Sequence, residues 1–208
     1  NPHFLFNALN TISCVCRENP ERARELLVTL ASYFRYNLDY EAYMVPMEEE
    51  LDHVRDYLEL EKARFEDKLL VTYDLPECMD IQIPTLILQP IVENALIHGL
   101  SAKDEGGIIN VKIYQSDGEM ICKVTDNGKG MSQEEIEQLL GTISRNDKTG
   151  FRRVGIANVF GRIKLIYGEN YGGTIYGCEN SFTCVELHLP GGEEKGETAD
   201  ACKSINCG

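Results

Sequence analysis

The chain has 208 residues, 43% of them hydrophobic, and 34 acidic against 20 basic residues give it a formal net charge of -14. This composition is ordinary for a globular protein and predicts one domain plus a helical module. The negative charge argues against direct binding to nucleic acid or to an anionic membrane, so any nucleotide must be held by local groups and a metal.

Neither the apolar runs nor the cysteines predict a membrane span or a metal centre. The apolar stretch 86–100 is interrupted by Gln89, Glu93 and Asn94, so it is not expected to cross a bilayer. The eight cysteines lack paired CxxC motifs, and the four histidines are scattered, which argues against zinc. The favoured interpretation is that six cysteines are free thiols that act as small hydrophobes in a reducing cytosol, namely Cys14, Cys16, Cys78, Cys122, Cys178 and Cys184. The alternative for Cys178 and Cys184 is a disulfide across a hairpin.

Residues 1–66 are predicted to be helical. A first helix over residues 3–16 has two stripes at helical spacing. Its apolar stripe comprises Leu5, Leu9, Ile12 and Cys16, and its polar stripe comprises His3, Asn7 and Asn10. Asn19-Pro20-Glu21 has the residue types of a helix start and opens a second helix. The apolar face of that second helix is expected to comprise Ala23, Leu26, Leu27, Leu30, Tyr33, Phe34 and Leu38.

After Pro46 a heptad-like stripe predicts a third helix over residues 47–65, with Leu51, Val54, Leu58 and Phe65 on its apolar side. The second and third helices, joined by residues 39–46, are expected to form an antiparallel hairpin. Its remaining apolar surface predicts dimerisation.

From residue 67 to 190 the pattern predicts an α+β domain. Residues 69–75 alternate as a strand does, and a buried helix is expected over 89–100. Strands 108–115 and 120–125, a capped helix 132–140, a helix 155–167 and a hairpin of strands 174–178 and 182–189 complete a sheet covered on one face by helices. Residues 141–154 lack a clear period and are expected to be a mobile loop, and residues 191–208 are expected to be a polar tail.

Three polar elements on this frame suggest a nucleotide site. Asn94 lies on the buried helix, where its amide oxygen can reach a hard cation. Asp126 ends a strand before Asn127-Gly128-Lys129-Gly130, so its carboxylate is expected to accept a hydrogen bond from an exocyclic amine such as that of adenine. Gly155 to Asn158 opens a helix, whose free N–H groups bind phosphate. Taken singly, each has a plain alternative: a satisfied polar helix residue, a tight turn, and an ordinary helix start.

Two further sets of side chains carry charge or reactivity. The predicted loop 141–154 contains four basic residues, which are Arg145, Lys148, Arg152 and Arg153. They are expected to offset phosphate charge, and the alternative is a solvated basic loop. The imidazole of His3, when neutral, has a nitrogen lone pair that is available as a nucleophile toward phosphorus.

The sequence NPHFLFNALN around His3 resembles the phosphoacceptor motif of the LytS-like sensor histidine kinases. PIVENALIHG around Asn94 resembles the N box of that family, and residues 126–130 and 155–158 resemble its two glycine boxes. The resemblance covers roughly residues 1–190. It implies phosphoacceptor and dimerisation helices in 1–66, an ATP-binding catalytic domain of the gyrase, chaperone and histidine kinase type in 67–190, and a tail in 191–208.

By this resemblance His3 is phosphorylated, Asn94 binds Mg²⁺ and Asp126 reads the adenine of ATP. Gly128, Gly130, Gly155 and Asn158 are expected to shape the nucleotide site. Glu93 is a candidate to orient or deprotonate His3, and a surface helix residue is its alternative role.

The sequence departs from the family at two positions and from the related ATPases at a third. Ile97 stands where a basic residue is common, and Arg153-Val154-Gly155 replaces a glycine pair at the second glycine box, so His98, Arg152 or Arg153 are the candidates to compensate. Pro90 occupies the place of the water-activating glutamate of related ATPases, which favours phosphoryl transfer over hydrolysis.

The predicted function is therefore ATP-dependent autophosphorylation on His3 and phosphorelay to the receiver domain of a response regulator. The expected partners are a second copy of the chain in a homodimer and that response regulator. Because the sequence opens on Asn1-Pro2-His3, we expect the cytoplasmic portion of a longer membrane protein, joined to the membrane only through an upstream segment. A nucleotide-binding pseudokinase that acts as an interaction module is the alternative.

Overall fold

A computed structural model describes residues 2–38, 43–100, 106–144 and 155–191, without the side chains of residues 67, 98 and 142–144. The helices are α1 (Pro2–Glu18), α2 (Pro20–Leu38), α3 (Met47–Phe65), α4 (Gln89–Asn94), α5 (Gln133–Ser144) and α6 (Gly155–Tyr167). The strands are β1 (Met44–Pro46), β2 (Leu69–Asp74), β3 (Gln82–Pro84), β4 (Gly107–Ser116), β5 (Glu119–Asp126), β6 (Gly172–Cys178) and β7 (Phe182–Pro190). None of the helices in these ranges has the length and hydrophobicity that a membrane crossing requires.

The first helix packs against both α2 and α3, and its buried stripe differs from the predicted one. Phe4, Ala8 and Ile12 are buried, whereas Leu9 and Cys16, which we expected on the apolar stripe, are exposed. The reason is aromatic packing between the helices: the ring of Phe4 lies 4.9 Å from that of Tyr33 on α2 and also contacts α3. Two neighbouring stripes of α1 are apolar, and the stripe that carries the ring of Phe4 faces the core.

On α2 and α3 most of the predicted apolar faces are buried. Met47, Leu51, Val54 and Leu58 of α3 lie in the core, as do four of the seven residues predicted for α2, which are Ala23, Leu26, Leu30 and Tyr33. Leu27 and Leu38 are exposed, contrary to the expectation for the face of α2.

The predicted α+β sheet is present as a five-stranded mixed sheet in the order β2-β4-β5-β7-β6. The edge strand β2 runs parallel to β4, and the other neighbours are antiparallel. Alternate residues of the central strands are buried under the helices, as Ile109, Val111 and Ile113 are on β4. The hydrophobic cluster of buried residues extends without interruption from the three N-terminal helices into this sheet.

A short two-stranded ribbon joins the helical part to the α+β part and was not predicted from the sequence. β1 and β3 pair antiparallel, with Val45 opposite Ile83. We had treated residues 39–46 as a plain connection. Three-residue strands give too short an alternation to be detected from sequence.

The carboxylate of Glu50 on α3 holds the segment that leads into α4. Glu50 is fully buried and accepts hydrogen bonds from the backbone N–H groups of Leu86, Ile87 (3.0 Å) and Leu88 (3.0 Å). The hydroxyl of Tyr36 on α2 also donates to it, at 2.8 Å. Three hydrogen bonds to one side chain therefore fasten the start of α4 to the helical hairpin, and a fourth holds that side chain from α2.

The predicted helix 89–100 is not uniform. It is α-helical over Gln89–Asn94 and π-helical over Ala95–Leu100, which corrects the expectation of one regular helix. Its predicted apolar residues are nevertheless buried, namely Ile91, Val92, Ala95, Leu96 and Leu100. The wider turn accompanies a close approach of Gly99 to the end of β5, where the carbonyl of Gly99 accepts from the N–H of Lys129 at 3.0 Å.

Near the C-terminus, α5 extends to Ser144, four residues beyond the predicted end at 140. Its start is capped reciprocally, because Ser132 Oγ accepts from the N–H of Glu135 and Glu135 Oε2 accepts from the N–H of Ser132. α6 and the β6–β7 hairpin lie where the sequence predicted them. Residues 145–154, the larger part of the expected loop, and the tail from residue 192 lie outside the described residues.

Candidate functional site

A cavity of about 260 Å³ opens between α4, α5, the start of α6 and the loop after β5. Its walls combine polar and apolar side chains from these four elements. The residues that line it are Pro90, Glu93, Asn94, Ile97, Lys129, Met131, Glu135, Leu139, Gly155 and Ile156. Three segments that the sequence analysis selected, around Asn94, Lys129 and Gly155, are far apart in the chain but meet at this cavity.

Asn94 and Glu93 occupy the α4 wall of this cavity and are both half-buried. The amide oxygen of Asn94 is a suitable ligand for a hard cation. Pro90, which stands where related ATPases have a glutamate, and Ile97, which departs from the family pattern, line the same cavity. Neither side chain carries a polar group, so this wall offers no general base at position 90 and no cation at position 97.

Asp126 lies at the end of β5, as predicted, but it is only 2% exposed and does not itself line the cavity. Its Oδ1 accepts a hydrogen bond from the N–H of Gly128 at 2.9 Å. A Cβ on Gly99 would lie 2.4 Å from the same oxygen, so only a glycine allows this contact. The carboxylate is thus packed against the π-helical turn, whereas we had expected it to be open to another molecule at the edge of the sheet.

Gly128 and Gly130 are required by contacts within the chain. A Cβ on Gly128 would lie 2.1 Å from the carbonyl oxygen of Gly99, and one on Gly130 would lie 1.9 Å from the carbonyl oxygen of Cys178. Gly130 also has a φ of +68°, in the left-handed region that favours glycine. The glycine pattern predicted that another molecule approaches the backbone closely at these positions. In the structure, the backbone carbonyls of Gly99 and Cys178 make this approach.

The second glycine box is only partly at the cavity. Gly155 begins α6 and lines the cavity next to Ile156, with the first N–H groups of a 13-residue helix. Asn158, one turn further on, is exposed and is not among the lining residues. Arg152, Arg153 and the side chain of His98 lie outside the described residues.

His3 is exposed on the first turn of α1 and is not among the residues that line the cavity. The side-chain amide of Asn7 lies 3.3 Å from its Nδ1, one turn along the predicted polar stripe. His3 is therefore not part of the cavity wall, and its neighbour Phe4 anchors the helix in the core.

Sequence reasoning missed several residues of the site. Lys129, within the first glycine box, and Glu135 of α5 are exposed and line the cavity. Gln89 is buried beside Glu93 and donates a hydrogen bond to its Oε1 at 2.7 Å. Burial raises the pKa of Glu93, and this hydrogen bond counteracts part of that rise. The predicted alternative for Glu93, a plain surface residue, does not describe this environment.

Comparison with known proteins supports one assignment for both parts of the chain. A family model described as "Histidine kinase" matches residues 1–69, and one described as "Histidine kinase-, DNA gyrase B-, and HSP90-like ATPase" matches residues 79–193. "Sensor histidine kinase YpdA" of Escherichia coli is 39% identical over 81% of this chain and 29% of its own length.

Two other relatives give the same picture. "Sensor protein LytS" of Bacillus anthracis is 37% identical over 99% of this chain, and "Sensor histidine kinase BtsS" of Escherichia coli is 36% identical over 93%. The chain spans 35% and 32% of their respective lengths, about a third of each relative.

Proposed function

Because the chain belongs to the histidine kinase-, DNA gyrase B- and HSP90-like ATPase family, and within it to the LytS-like sensor histidine kinases, we propose that it transfers the γ-phosphoryl group of ATP to His3. The phosphoryl group then passes to an aspartate on the receiver domain of a response regulator.

The observation that carries this proposal is the meeting of Asn94, Glu93 and the first turn of α6 at one cavity. Helix N–H groups bind phosphate, and an amide oxygen on the neighbouring α4 wall binds a cation that accompanies phosphate. The residues present therefore fit Mg-ATP. In this assignment Asn94 supplies an oxygen ligand to Mg²⁺, which neutralises charge on the phosphates when bound.

Asp126 is proposed to accept a hydrogen bond from the exocyclic amine of adenine, with Gly128 holding its Oδ1 in place. This contact requires the buried carboxylate to become accessible from the cavity. Gly130 and Asn158 complete the turn and helix around the nucleotide. His98, Arg152 and Arg153 are proposed to contact the phosphates in place of the basic residue that Ile97 replaces.

The chemical step is a displacement at phosphorus. A nitrogen lone pair of neutral His3 forms the N–P bond while the bond from the γ-phosphorus to the bridging oxygen breaks, and ADP leaves. The proton on the imidazole passes to a base. Glu93 is the proposed base or orienting group, since its raised pKa improves its affinity for a proton.

His3 does not line the cavity, so the proposal requires His3 and the nucleotide to be brought together, within one chain or between two. A homodimer is the proposed assembly. Exposed apolar residues on the helices support it, among them Phe6 (67% exposed) on α1 and Val28 (64%) on α2. Because ATP and receiver domains are in the cytoplasm, this portion is proposed to be cytoplasmic and the complete protein to be membrane-associated.

The test is incubation of the protein with γ-labelled Mg-ATP, followed by acid and base treatment. Phosphohistidine is acid-labile and base-stable, and His3→Gln should abolish the label while ATP affinity stays unchanged. His188→Gln, on β7, is the matched control and should keep the label. A labelled His3→Gln variant would identify another acceptor, and an unlabelled parent that binds ATP would support the non-catalytic interaction module.

A further inference from the structure

Gln89, the first residue of α4, is buried (7% exposed), and both the nitrogen and the oxygen of its carboxamide make hydrogen bonds. Its Nε2 donates to the hydroxyl of Tyr33 at 2.7 Å and to Oε1 of Glu93 at 2.7 Å. Its Oε1 lies 2.7 Å from Nε2 of His53. One side chain therefore connects α4 with α2 and α3.

The chemistry of these partners determines how the amide points. An ionised Glu93 carboxylate only accepts hydrogen bonds, so the nitrogen of Gln89 must face it. The oxygen of Gln89 then faces His53, which must donate from Nε2. Reversal of the amide would place its oxygen against the carboxylate of Glu93.

The partners of Gln89 on the helical hairpin are themselves held by stacking. The ring of His53 is parallel to that of Tyr33, at 4.8 Å and 12°, and to that of Tyr36, at 4.2 Å and 21°. Phe4 of α1 packs on the other side of the cluster, 4.9 Å from Tyr33. Any movement of α2 or α3 relative to α4 must therefore shift or break the hydrogen bonds of Gln89.

We propose that Gln89 is a positioning residue that holds the carboxylate of Glu93 at the wall of the cavity and ties its position to α2 and α3 through Tyr33 and His53. This inference rests on the proposed function, because Glu93 is the proposed base for His3. The helix pair that follows the phosphoacceptor helix is thereby linked directly to a side chain of the catalytic cavity.

The kinetic test is a double-mutant cycle of Gln89→Leu and Glu93→Gln. Gln89→Leu should lower the autophosphorylation rate at saturating ATP by about 10- to 100-fold, the effect of a misplacement of about 1 Å, with an unchanged KM for ATP. In the Glu93→Gln background the same change should alter the rate by no more than about twofold. Full additivity of the two losses, or no loss in Gln89→Leu, would overturn the proposal.

The matched control is Gln133→Leu. Gln133 of α5 makes the same four-residue hydrogen bond along a helix, from Nε2 to Oε1 of Glu137 at 3.2 Å, but both residues are exposed. Its rate should equal that of the parent. Tyr33→Phe keeps the stacked ring but removes one partner of Gln89, and it should reproduce part of the loss.

A second measurement is independent of catalysis. In crystal structures of the parent and of Gln89→Leu, the carboxylate of Glu93 should occupy different positions, because the hydrogen bond from Nε2 of Gln89, at 2.7 Å in the parent, is gone. An unmoved carboxylate would overturn the proposal. An unlabelled parent with a displaced carboxylate in Gln89→Leu would refute the proposed function and leave the hold of Gln89 on Glu93 supported.

Discussion

Removal of the Glu50 side chain is expected to weaken the whole structure, because one carboxylate fastens the start of α4 to the hairpin. In Glu50→Ala, the buried N–H groups of Ile87 and Leu88 lose their acceptor. The N–H of Leu86 and the hydroxyl of Tyr36 lose the same acceptor, but these two donors are only partly buried. A buried donor left without a partner costs about 1 to 3 kcal/mol.

Two such donors give a loss of about 2 to 6 kcal/mol in the free energy of unfolding. Removal of a buried carboxylate also recovers part of its desolvation cost, so the lower half of this range, about 3 kcal/mol, is expected for Glu50→Ala. Glu50→Gln keeps one acceptor oxygen and should lose about 1 to 2 kcal/mol, since its new N–H₂ group faces other donors.

The assay is urea unfolding followed by circular dichroism, with ΔG in water and the m-value fitted for each variant. Glu49→Gln is the matched control, because Glu49 is the exposed neighbour on the same turn of α3, and it should stay within about 0.5 kcal/mol of the parent. A loss below about 1 kcal/mol for Glu50→Ala, with an unchanged m-value, would refute the reasoning, since it would mean that water or backbone rearrangement satisfies these donors.

Three other predictions concern the cavity and its turns. Asn94→Asp should leave nucleotide affinity without metal unchanged but alter the Mg²⁺ dependence of autophosphorylation, which rates measured across a Mg²⁺ series will show. Asp126→Asn should weaken ATP binding by about 10- to 100-fold while the thermal midpoint is kept, because a charge-assisted hydrogen bond contributes about 1.5 to 3 kcal/mol; equal affinity by calorimetry would contradict the assignment. Gly130→Ala should destabilise the fold by more than about 2 kcal/mol in urea, because its Cβ meets the carbonyl of Cys178, whereas Gly141→Ala meets no atom within 4 Å and should not.

Long periodic segments were predictable from the sequence because each follows a single rule. The boundaries of α3 and α6 agree with the expected helices 47–65 and 155–167, since Pro46 and the glycine at 155 mark their starts. The sheet strands were found through alternation. In each case local chemistry and tertiary burial favour the same structure.

Features that depend on contacts between distant segments were not predictable in the same way. The inward stripe of α1 depends on where Tyr33 lies, and the π-helical turn accompanies the approach of Gly99 to Asp126. The hydrogen bonds of Gln89 were not predicted either, because its three partners lie on three helices. Cys178 and Cys184 are free thiols, and their strand register explains why they do not pair, since Cys178 is opposite Phe182 and Cys184 is opposite Tyr176.

The parallel pairing of β2 with β4 has a consequence for synthesis on the ribosome. Asn110 of β4 donates a hydrogen bond to Thr72 of β2, which precedes it by 38 residues, so β2 is made well before the strand that it pairs with. At about 5 to 20 residues per second, this delay is roughly 2 to 8 seconds. During that time β2 is without the strand that it pairs with, and we expect its unpaired backbone N–H and C=O groups to make nascent chains at this stage a target for chaperones.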